Sequence, residues 1–581
     1  MSEMIPQLWI SQITFSDGST HVLTLDDVIV IVGPNNSGKS ATLRSIREKL
    51  ANPSVPSPVV SSIAVQSVGT VEDVIAWLEA TSLKTFDNNP APTYHALGVD
   101  LYQGNVKNWW QNHTGGLQLL TRFFCHHLTA DARLRAADAA PGINVLRQPL
   151  THPIHYLYRD DGLEARLSQQ FRRAFNADLV VQRGAGGSIP LHVGQRPTPG
   201  PGQDRVSPAF VNAVEELPTL ESQGDGMRSF AGTLLETSVG RESILLIDEP
   251  EAFLHPPQAR LLGKMLVSDR TQHRQLIVAT HSGDVLRGIL DGGSPNVRVI
   301  RLQRSNAVNI ASQLDNARIK DLWKDPLLRS SNILDGLFHE RVVVCEGDSD
   351  CRFYAAIADA GAEECVGGRH WPDIMFAHCG GKARLHLVLD ALRALDVSVA
   401  AVTDFDVFNA EQPLRRIVDA ADGDWTAIEA DWNRLKSAID GEKPELATPE
   451  VTREIQSILA RIQDTTFPAD ASKQIQSILR RSSPWAIAKT TGRNCVPNGQ
   501  PTRACDRLMS NLRALGVYVV PDGELESFAR SVDGRGPAWV NEVLNRDLKS
   551  DPELEGARAF VSLVAFPKPH AVPMAPTEQD A

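Results

Sequence analysis

The segment Gly33-Pro34-Asn35-Asn36-Ser37-Gly38-Lys39-Ser40 constrains this chain more than any other. It satisfies G-x-x-x-x-G-K-[ST] at every fixed position, and its flanks suit it. Val28 to Val32 is an unbroken β-branched run that reads as a short buried strand, and Ala41 to Leu50 reads as a helix. A glycine-rich turn in that context aims backbone N–H groups and a helix N-terminus at one point, where phosphate binds. The small residues let the backbone approach closely. Gly33, Asn35, Asn36, Ser37, Gly38, Lys39 and Ser40 are therefore the expected ATP contacts. Lys39 would reach the β- and γ-phosphates, and the Ser40 hydroxyl would bind Mg²⁺.

Two further apolar runs extend this site. Ile244 to Ile247 ends in Asp248-Glu249-Pro250, and Leu276 to Ala279 ends in Thr280-His281-Ser282. Asp248 is placed to hold the Mg²⁺ shell, and Glu249 to orient or deprotonate the attacking water. His281 would contact the γ-phosphate. Singly, such an acidic pair caps a helix and such a histidine is structural; beside a complete phosphate loop they read as one site. Strands alternating with helices make the region α/β with a mostly parallel sheet.

With 581 residues the chain exceeds one ordinary core, so several domains are expected. Strand-helix alternation restarts at Arg341 to Cys345 and continues through Ile374 to Ala377, Val397 to Thr403 and Val517 to Val520. The expected layout is an ATPase domain over 1–304, a connector or dimerisation segment over 305–337, and a second α/β domain over 338–566. A largely helical insertion occupies about 407–512 of that second domain, and 567–581 is a Pro-rich flexible tail. The insertion contains a near-duplication, Ile455 to Leu459 and Ile475 to Leu479, expected as paired amphipathic helices. The Gly/Pro-rich piece Gly184 to Gly202 reads as loops within an antiparallel sub-sheet, with a disordered linker as the alternative.

No apolar run is long enough to span a bilayer and no signal pattern opens the chain, so a cytoplasmic location without membrane contact is expected. The seven cysteines form no Cys-x-x-Cys pair, which argues for free thiols. His126 and His127, after Cys125, lack a second ligand pair and read as packing or surface residues. A net charge of −12 does not announce a nucleic-acid binder. Carboxylates clustered at a metal site contribute to that count, so it does not exclude one.

Carboxylates do cluster. The run Arg341 to Cys345 enters Glu346-Gly347-Asp348-Ser349-Asp350, and Glu346 and Asp350 would share one side if a helix starts there. Another run ends Thr403-Asp404-Phe405-Asp406, where alternation puts both aspartates on one face. The last ends Pro521-Asp522-Gly523-Glu524-Leu525-Glu526. Each alone would be a cap or a solvated turn. Their common place after apolar strands points to a ligand site, and oxygen-rich crowding suits Mg²⁺ or Mn²⁺. Arg480, Arg481, Lys489, Arg493 and Arg503 surround Trp485 in the insertion, a pattern that fits either a DNA track or a solvated helix face.

Asp248 to Glu251, Leu254-His255-Pro256 and Ala279 to Ser282 together resemble the ABC-type ATPases of the SMC, RecF and OLD group. There a Ser/Gly-rich signature from one subunit completes the ATP site of another. Ser222-Gln223-Gly224-Asp225-Gly226 is the best match, so Ser222 and Gly224 would contact nucleotide across a homodimer or higher homo-oligomer. Glu-Gly-x-x-Asp followed by an Asp-x-Asp strand resembles the Toprim domain, and Gly380-Gly381-Lys382 with Gly523 to Glu526 resembles the OLD (overcoming lysogenization defect) family in particular. That resemblance implies metal ligands at Glu346, Asp350, Asp404, Asp406, Glu524 and Glu526, with Glu346 essential for catalysis. It also implies a late lysine, placed at Lys568 with Lys549 as rival.

The implied protein is an ATP-regulated, divalent-metal-dependent endonuclease that nicks or cuts DNA by two-metal hydrolysis. The family includes the Gabija nuclease subunit and serves in bacterial antiphage defence, which leaves room for a helicase-like or other defence-system partner. Two rival readings stand beside it. One is a RecF-like or SMC-like DNA-binding ATPase whose Toprim domain only docks. The other is a nucleotide-sensing regulatory ATPase acting through a partner protein. Strand passage is disfavoured, because none of the six tyrosines marks a nucleophile-bearing module.

Overall fold

The computed structural model describes residues 5–86, 91–145, 147–184, 186–240, 242–269, 274–305, 308–314, 332–361, 372–442, 448–462, 466–480 and 483–566. The chain divides into two compact units, Met1–Lys324 and Asp325–Ala581.

The first unit is built on a six-stranded sheet. Its strands are β1 (Val28–Val32), β2 (Cys125–Leu128), β3 (Ile244–Asp248), β4 (Gln275–Ala279), β5 (Val297–Ser305) and β6 (Val308–Gln313). Their order is β6-β5-β1-β4-β3-β2, parallel except for β6 against β5. All five residues of β1 are buried, which is why it reads as a continuous apolar run. Registers Ala279–Ile31 and Asp248–Ala279 align the carboxyl ends of β1, β4 and β3. Helix α1 (Lys39–Ala51) leaves the phosphate loop directly, and α2 (Asp225–Val239) and α3 (Pro256–Ser268) flank β3 in the chain.

An antiparallel sheet of Thr20–Val22, Gln7–Phe15 and Val60–Val68 adds the alternating residues Leu8, Ile10, Ile13 and Phe15 to the core that holds Leu43, Ile46 and Leu50 of α1. The segment expected as a connector, 305–337, opens with part of the sheet. β6 continues the sheet to Gln313 within that segment, residues 315–331 lie outside the described residues, and Asn332–Phe338 is a 3₁₀ helix. As an edge strand with exposed Val308 and Ile310, β6 lacks the unbroken apolar run of a central strand.

The second unit carries β7 (Arg341–Cys345), β8 (Ile374–His378), β9 (Val399–Thr403) and β10 (Val517–Val519), all parallel in the order β8-β7-β9-β10. Helix α4 (Asp348–Gly361) packs Phe353 and Tyr354 into a core with Tyr518, Phe528 and Trp539. Between β9 and β10 lies a run of helices that includes Thr448–Leu459 and Ala469–Arg480, which pack together, and α5 (Pro484–Thr491). Among the described residues no helix is long and apolar enough to cross a membrane. The expected tail, 567–581, lies outside the described residues.

The Gly184 to Gly202 piece is tied into the first unit as sub-sheet loops. Asp178–Val181 pairs antiparallel with Leu191–Gly194. Beneath them Glu164, fully buried, accepts from the Val181 N–H at 3.0 Å, Arg183 at 3.1 Å, Arg196 at 2.9 Å and Arg205 at 2.6 Å. Removing that carboxylate strands the surrounding guanidinium groups. Glu164→Ala is expected to cost about 3–5 kcal/mol, read by denaturant unfolding; a loss under about 1 kcal/mol would refute this hub.

Candidate functional site

In the phosphate loop the backbone sets the shape. Asn36 and Gly38 have φ of 62° and 97°, and Gly33 at φ 147° lies so close to β5 that a Cβ would meet the Leu302 carbonyl at 2.2 Å. A side chain at Gly33 would displace the strand that braces the loop. The Lys39 ammonium donates to the Gly33 and Pro34 carbonyls, each at 2.8 Å, and so folds across the loop. Burial pulls its pKa down, against the raising effect of Glu249, Glu251 and Asp248. Ser40 donates to Asp248 at 2.9 Å, which brings together the two expected Mg²⁺ ligands from α1 and β3. Asn35 and Ser37 lie in the same loop, and the Ser37 carbonyl accepts from Asn309 of β6 at 2.5 Å.

Beyond β3, Glu249 adopts φ 48° and its carboxylate is half-exposed, 3.6 Å from the His281 Nδ1. Glu251 joins them. Its Oε1 accepts from the Thr280 hydroxyl and the His281 N–H, both at 2.9 Å, and lies 3.3 Å from Nδ1. Burial pushes the Glu251 pKa up. Glu251 thus fixes His281, a role for which the run Asp248 to Glu251 was the only sequence signal. Ser222 and Gly224 stand just before α2, and the Ser222 hydroxyl turns back onto the Thr219 carbonyl at 2.7 Å. Among the described residues no hydrogen bond joins them to the phosphate loop, so within one chain they are not part of that cluster.

Arg133 has no sequence signal. Its side chain is fully buried and donates to the backbone carbonyls of Asp248 at 2.7 Å and Glu249 at 2.8 Å, and to the Ser229 hydroxyl of α2 at 3.1 Å. Burial pushes its pKa down to about 10. One guanidinium therefore fixes the turn carrying Asp248 and Glu249 against the helix that follows Ser222 and Gly224.

In the second unit the carboxylates gather at the carboxyl ends of β7, β9 and β10. Glu346 accepts from the Thr403 hydroxyl at 2.5 Å and the Asp404 N–H at 3.1 Å. The helix begins at Asp348, so Glu346 sits in the turn before it, and Asp350 reaches back to the Gly347 N–H at 2.8 Å. The turn brings Glu346 and Asp350 to one side, where spacing along a helix was expected to do so. β9 stops at Thr403; Asp404 is extended, Phe405 is buried, and Asp406 lies in a 3₁₀ turn. Glu526 accepts from the Gly536 N–H at 2.7 Å, and Glu524 is buried, 3.5 Å from Arg535.

Two lysines enter this crowd. Lys489 of α5 lies 3.3 Å from Asp404, 3.9 Å from Asp406 and 3.8 Å from Glu524, and Lys382 is 2.5 Å from Asp406. Lys568 lies outside the described residues, and the rival Lys549 sits at an exposed turn on Asp547. Among the described residues the insertion places a lysine beside the cluster, a placement invisible to spacing along the chain. Trp485 of the same helix is buried, with its N–H on Asp440 at 2.7 Å, and Arg493 pairs with Asp506 at 2.6 Å. Trp485 is therefore a packing residue and not part of an exposed DNA track. Arg481 lies outside the described residues.

Burial, then Glu346, raises Asp404 to about 8 despite Lys489; burial, with Glu346 and Glu526, raises Asp350 to about 6. Burial also raises Glu524. Among the described residues no three acidic, histidine or cysteine side chains form a ready metal cage. The donor set nonetheless fits a hard divalent cation, because it offers carboxylate oxygens close enough to raise one another's pKa. Glu346, Asp350, Asp404, Asp406, Glu524 and Glu526 could hold such ions, and Ser40 with Asp248 could hold the one that accompanies ATP.

Two outcomes test these contacts. Arg133→Met removes the donor from two part-buried carbonyls, so it should cost about 1–3 kcal/mol in unfolding and slow ATP hydrolysis at saturating ATP; wild-type stability and rate would contradict the assignment. A carboxyl raised from 3.8 to about 8 keeps its proton in the folded state, so its contribution is full below pH 3.8 and is lost as pH rises to about 8. In chelator, the melting temperature should therefore fall between pH 5 and 8, and Asp404→Asn should flatten that fall.

Residues 88–287 match the family model described as AAA domain, putative AbiEii toxin, Type IV TA system. Residues 337–406 match that of the overcoming lysogenization defect protein-like TOPRIM domain. An OLD nuclease of Thermus scotoductus is 27% identical over 184 residues, covering 29% of this chain and 32% of that protein. The Old nuclease of Escherichia phage P2 is 25% identical over 180 residues, 29% of each chain. The match thus spans about a third of the length of these curated relatives. Among solved structures, the SMC head domain from Thermotoga maritima is 14% identical with a TM-score of 0.28, over 54% of this chain and 100% of its own. An SMC head bound to the C-terminal winged-helix domain of ScpA gives 12% and 0.33, over 54% and 99%. One chain thus carries a region that matches an AAA domain model ahead of one that matches the OLD-like TOPRIM model, and over about a third of their length it is similar to OLD nucleases.

Proposed function

We propose that this protein is an ATP-regulated, divalent-metal-dependent DNA endonuclease whose cleavage site is the carboxylate cluster of the second unit. The observation that carries the reading is the crowding of Glu346, Asp350, Asp404, Asp406, Glu524 and Glu526, with Asp404 lifted to about 8 by burial and Glu346. Lys382, Lys489 and the retained Asp404 proton offset part of that crowding, and divalent cations would offset the rest. Mg²⁺ or Mn²⁺ bound there would activate water and stabilise the leaving oxygen of a phosphodiester. Glu346, fixed by Thr403 and the Asp404 N–H, would present its carboxylate with little freedom to swing away. Lys489 and Lys382 are suited to balance the phosphate charge, a part that the family resemblance assigns to a late lysine such as Lys568.

In the first unit Lys39, Ser40 and Asp248 bind ATP with Mg²⁺, and Glu249 with His281 act on the attacking water and γ-phosphate. Ser222 and Gly224 would complete the site of a second copy, which makes the working form a homodimer or larger. Phosphodiester hydrolysis is already downhill, so ATP controls access and does not drive cleavage. The biological setting would be cytoplasmic antiphage defence, alongside a helicase-like or other partner protein.

The test is a plasmid-cleavage comparison with Mg²⁺ or Mn²⁺, with and without ATP. Wild type should nick or linearise the plasmid, and Glu346→Ala should lose about 100-fold or more. If no metal condition gives Glu346-dependent cutting, the nuclease reading is wrong; DNA binding without cutting would mark the Toprim domain as a dock.

A further inference from the structure

The first unit has a second basic site, separate from the phosphate loop. A cavity of about 540 Å³ lies between α1 and the segment around Gln118 to Thr129. Arg44 and Arg47 of α1 line it with Arg122, Thr121 and His127; the carboxylate in the lining is Glu48. Arg44, Arg47 and Arg122 are exposed, and among the described residues none is paired with a carboxylate. Arg122 donates to the Leu97 carbonyl at 3.1 Å.

Two buried polar atoms in the lining lack partners. Thr121 is 4% exposed and its hydroxyl meets no hydrogen-bonding group, and neither does the Nε2 of His127. Unsatisfied groups of this kind are costly and mark places where a ligand or water completes the bonding. Burial lowers the His127 pKa; Asp248 opposes this, while Arg47, His126 and Arg44 add to it, so the arginine charge is felt inside the cavity.

We infer that this cavity and its arginine rim bind the phosphodiester backbone of a nucleic acid. Arginine forks match phosphate oxygens in pairs, and three of them on an open rim suit a chain of phosphates. ATP already has its own loop, whose Lys39 turns toward Gly33 and Pro34. Arg44 follows Lys39 by about 7.5 Å along α1. On the far side, His127 precedes Leu128, which pairs in register with Ile247 beside Asp248. A backbone seated here would touch both elements that bear the nucleotide ligands, which gives DNA a route to the ATP site. The inference rests on DNA being the substrate and assigns it a second, non-cleaving contact.

The test uses the full chain in chelator and a labelled duplex of about 20 base pairs, with fluorescence anisotropy at several salt concentrations. Arg44→Gln/Arg47→Gln/Arg122→Gln should bind at least tenfold more weakly at low salt and lose about 2–3 from the salt slope. ATP affinity should be unchanged. The double variant Arg44→Gln/Arg47→Gln keeps the Arg122–Leu97 bond and should show most of the effect. Unchanged duplex affinity and slope would overturn the inference. So would an equal loss of ATP or tripolyphosphate binding, which would make the cavity a small-anion site. Wild type failing to bind duplex would overturn the nuclease reading as well, whereas wild-type binding and cutting by the triple variant would defeat this inference alone.

Discussion

A parallel strand can only end beside the ends of its neighbours, and this constraint organises both units. In the first, β1, β4 and β3 finish in register, so the phosphate loop, Thr280 and Asp248 emerge side by side. In the second, β7, β9 and β10 deliver Glu346, Asp404 and Glu524 to one edge. Neither cluster depends on closeness in sequence: Ser40 meets Asp248, and Lys489 meets Asp404, across long separations. What the sheet supplies is a rigid edge on which groups of like charge are held together against their repulsion.

That repulsion is met differently in the two places. At the ATP site the acids are divided among partners: Asp248 takes the Ser40 hydroxyl, Glu251 takes Thr280 and the His281 N–H, and Arg133 takes two backbone carbonyls. At the Toprim edge the acids face one another, and burial together with Glu346 holds Asp404 far above the ordinary carboxylate range. Lys489 lowers that cost without removing it. A group so placed gains more from an added cation than an exposed carboxylate does, because solvent screens it less. The first cluster therefore has its acids individually bonded, whereas in the second burial and like charge are only partly offset.

How much of this the sequence disclosed follows from where the determining contacts lie. The strands β1, β3, β4, β7, β9 and β10 were legible because strands buried on both faces are apolar almost without interruption, and the loop and acidic runs stand at their ends; β8, a part-buried edge strand, was legible from its apolar run Ile374 to Ala377. The antiparallel Gln7–Phe15 sheet was not, since its alternation of buried and half-exposed residues is broken between Ser11 and Gln12. Arg133 and Glu251 act through backbone carbonyls and a histidine, contacts that leave no pattern along a single chain. Trp485 shows the opposite error: an aromatic among basic residues suggested a surface track, yet Asp440 and the packing of α5 hold it inside.

The helical insertion is where these threads meet. Read from the sequence, it is a digression between β9 and β10, and its basic residues have no single meaning. Its last helices change that. Gly492 packs so tightly on the turn after β10 that a Cβ would meet the Pro521 carbonyl at 2.0 Å, and the Gly523 position is equally closed by the Lys489 carbonyl at 2.2 Å. The Ser527 hydroxyl donates to the Thr490 carbonyl at 3.1 Å. These contacts clamp the end of α5 against the very turn that carries Glu524 and Glu526. Lys489 is thus held over the carboxylates by backbone packing on both sides of it. The insertion is part of the site's construction, and the turn after β10 is shaped to receive it.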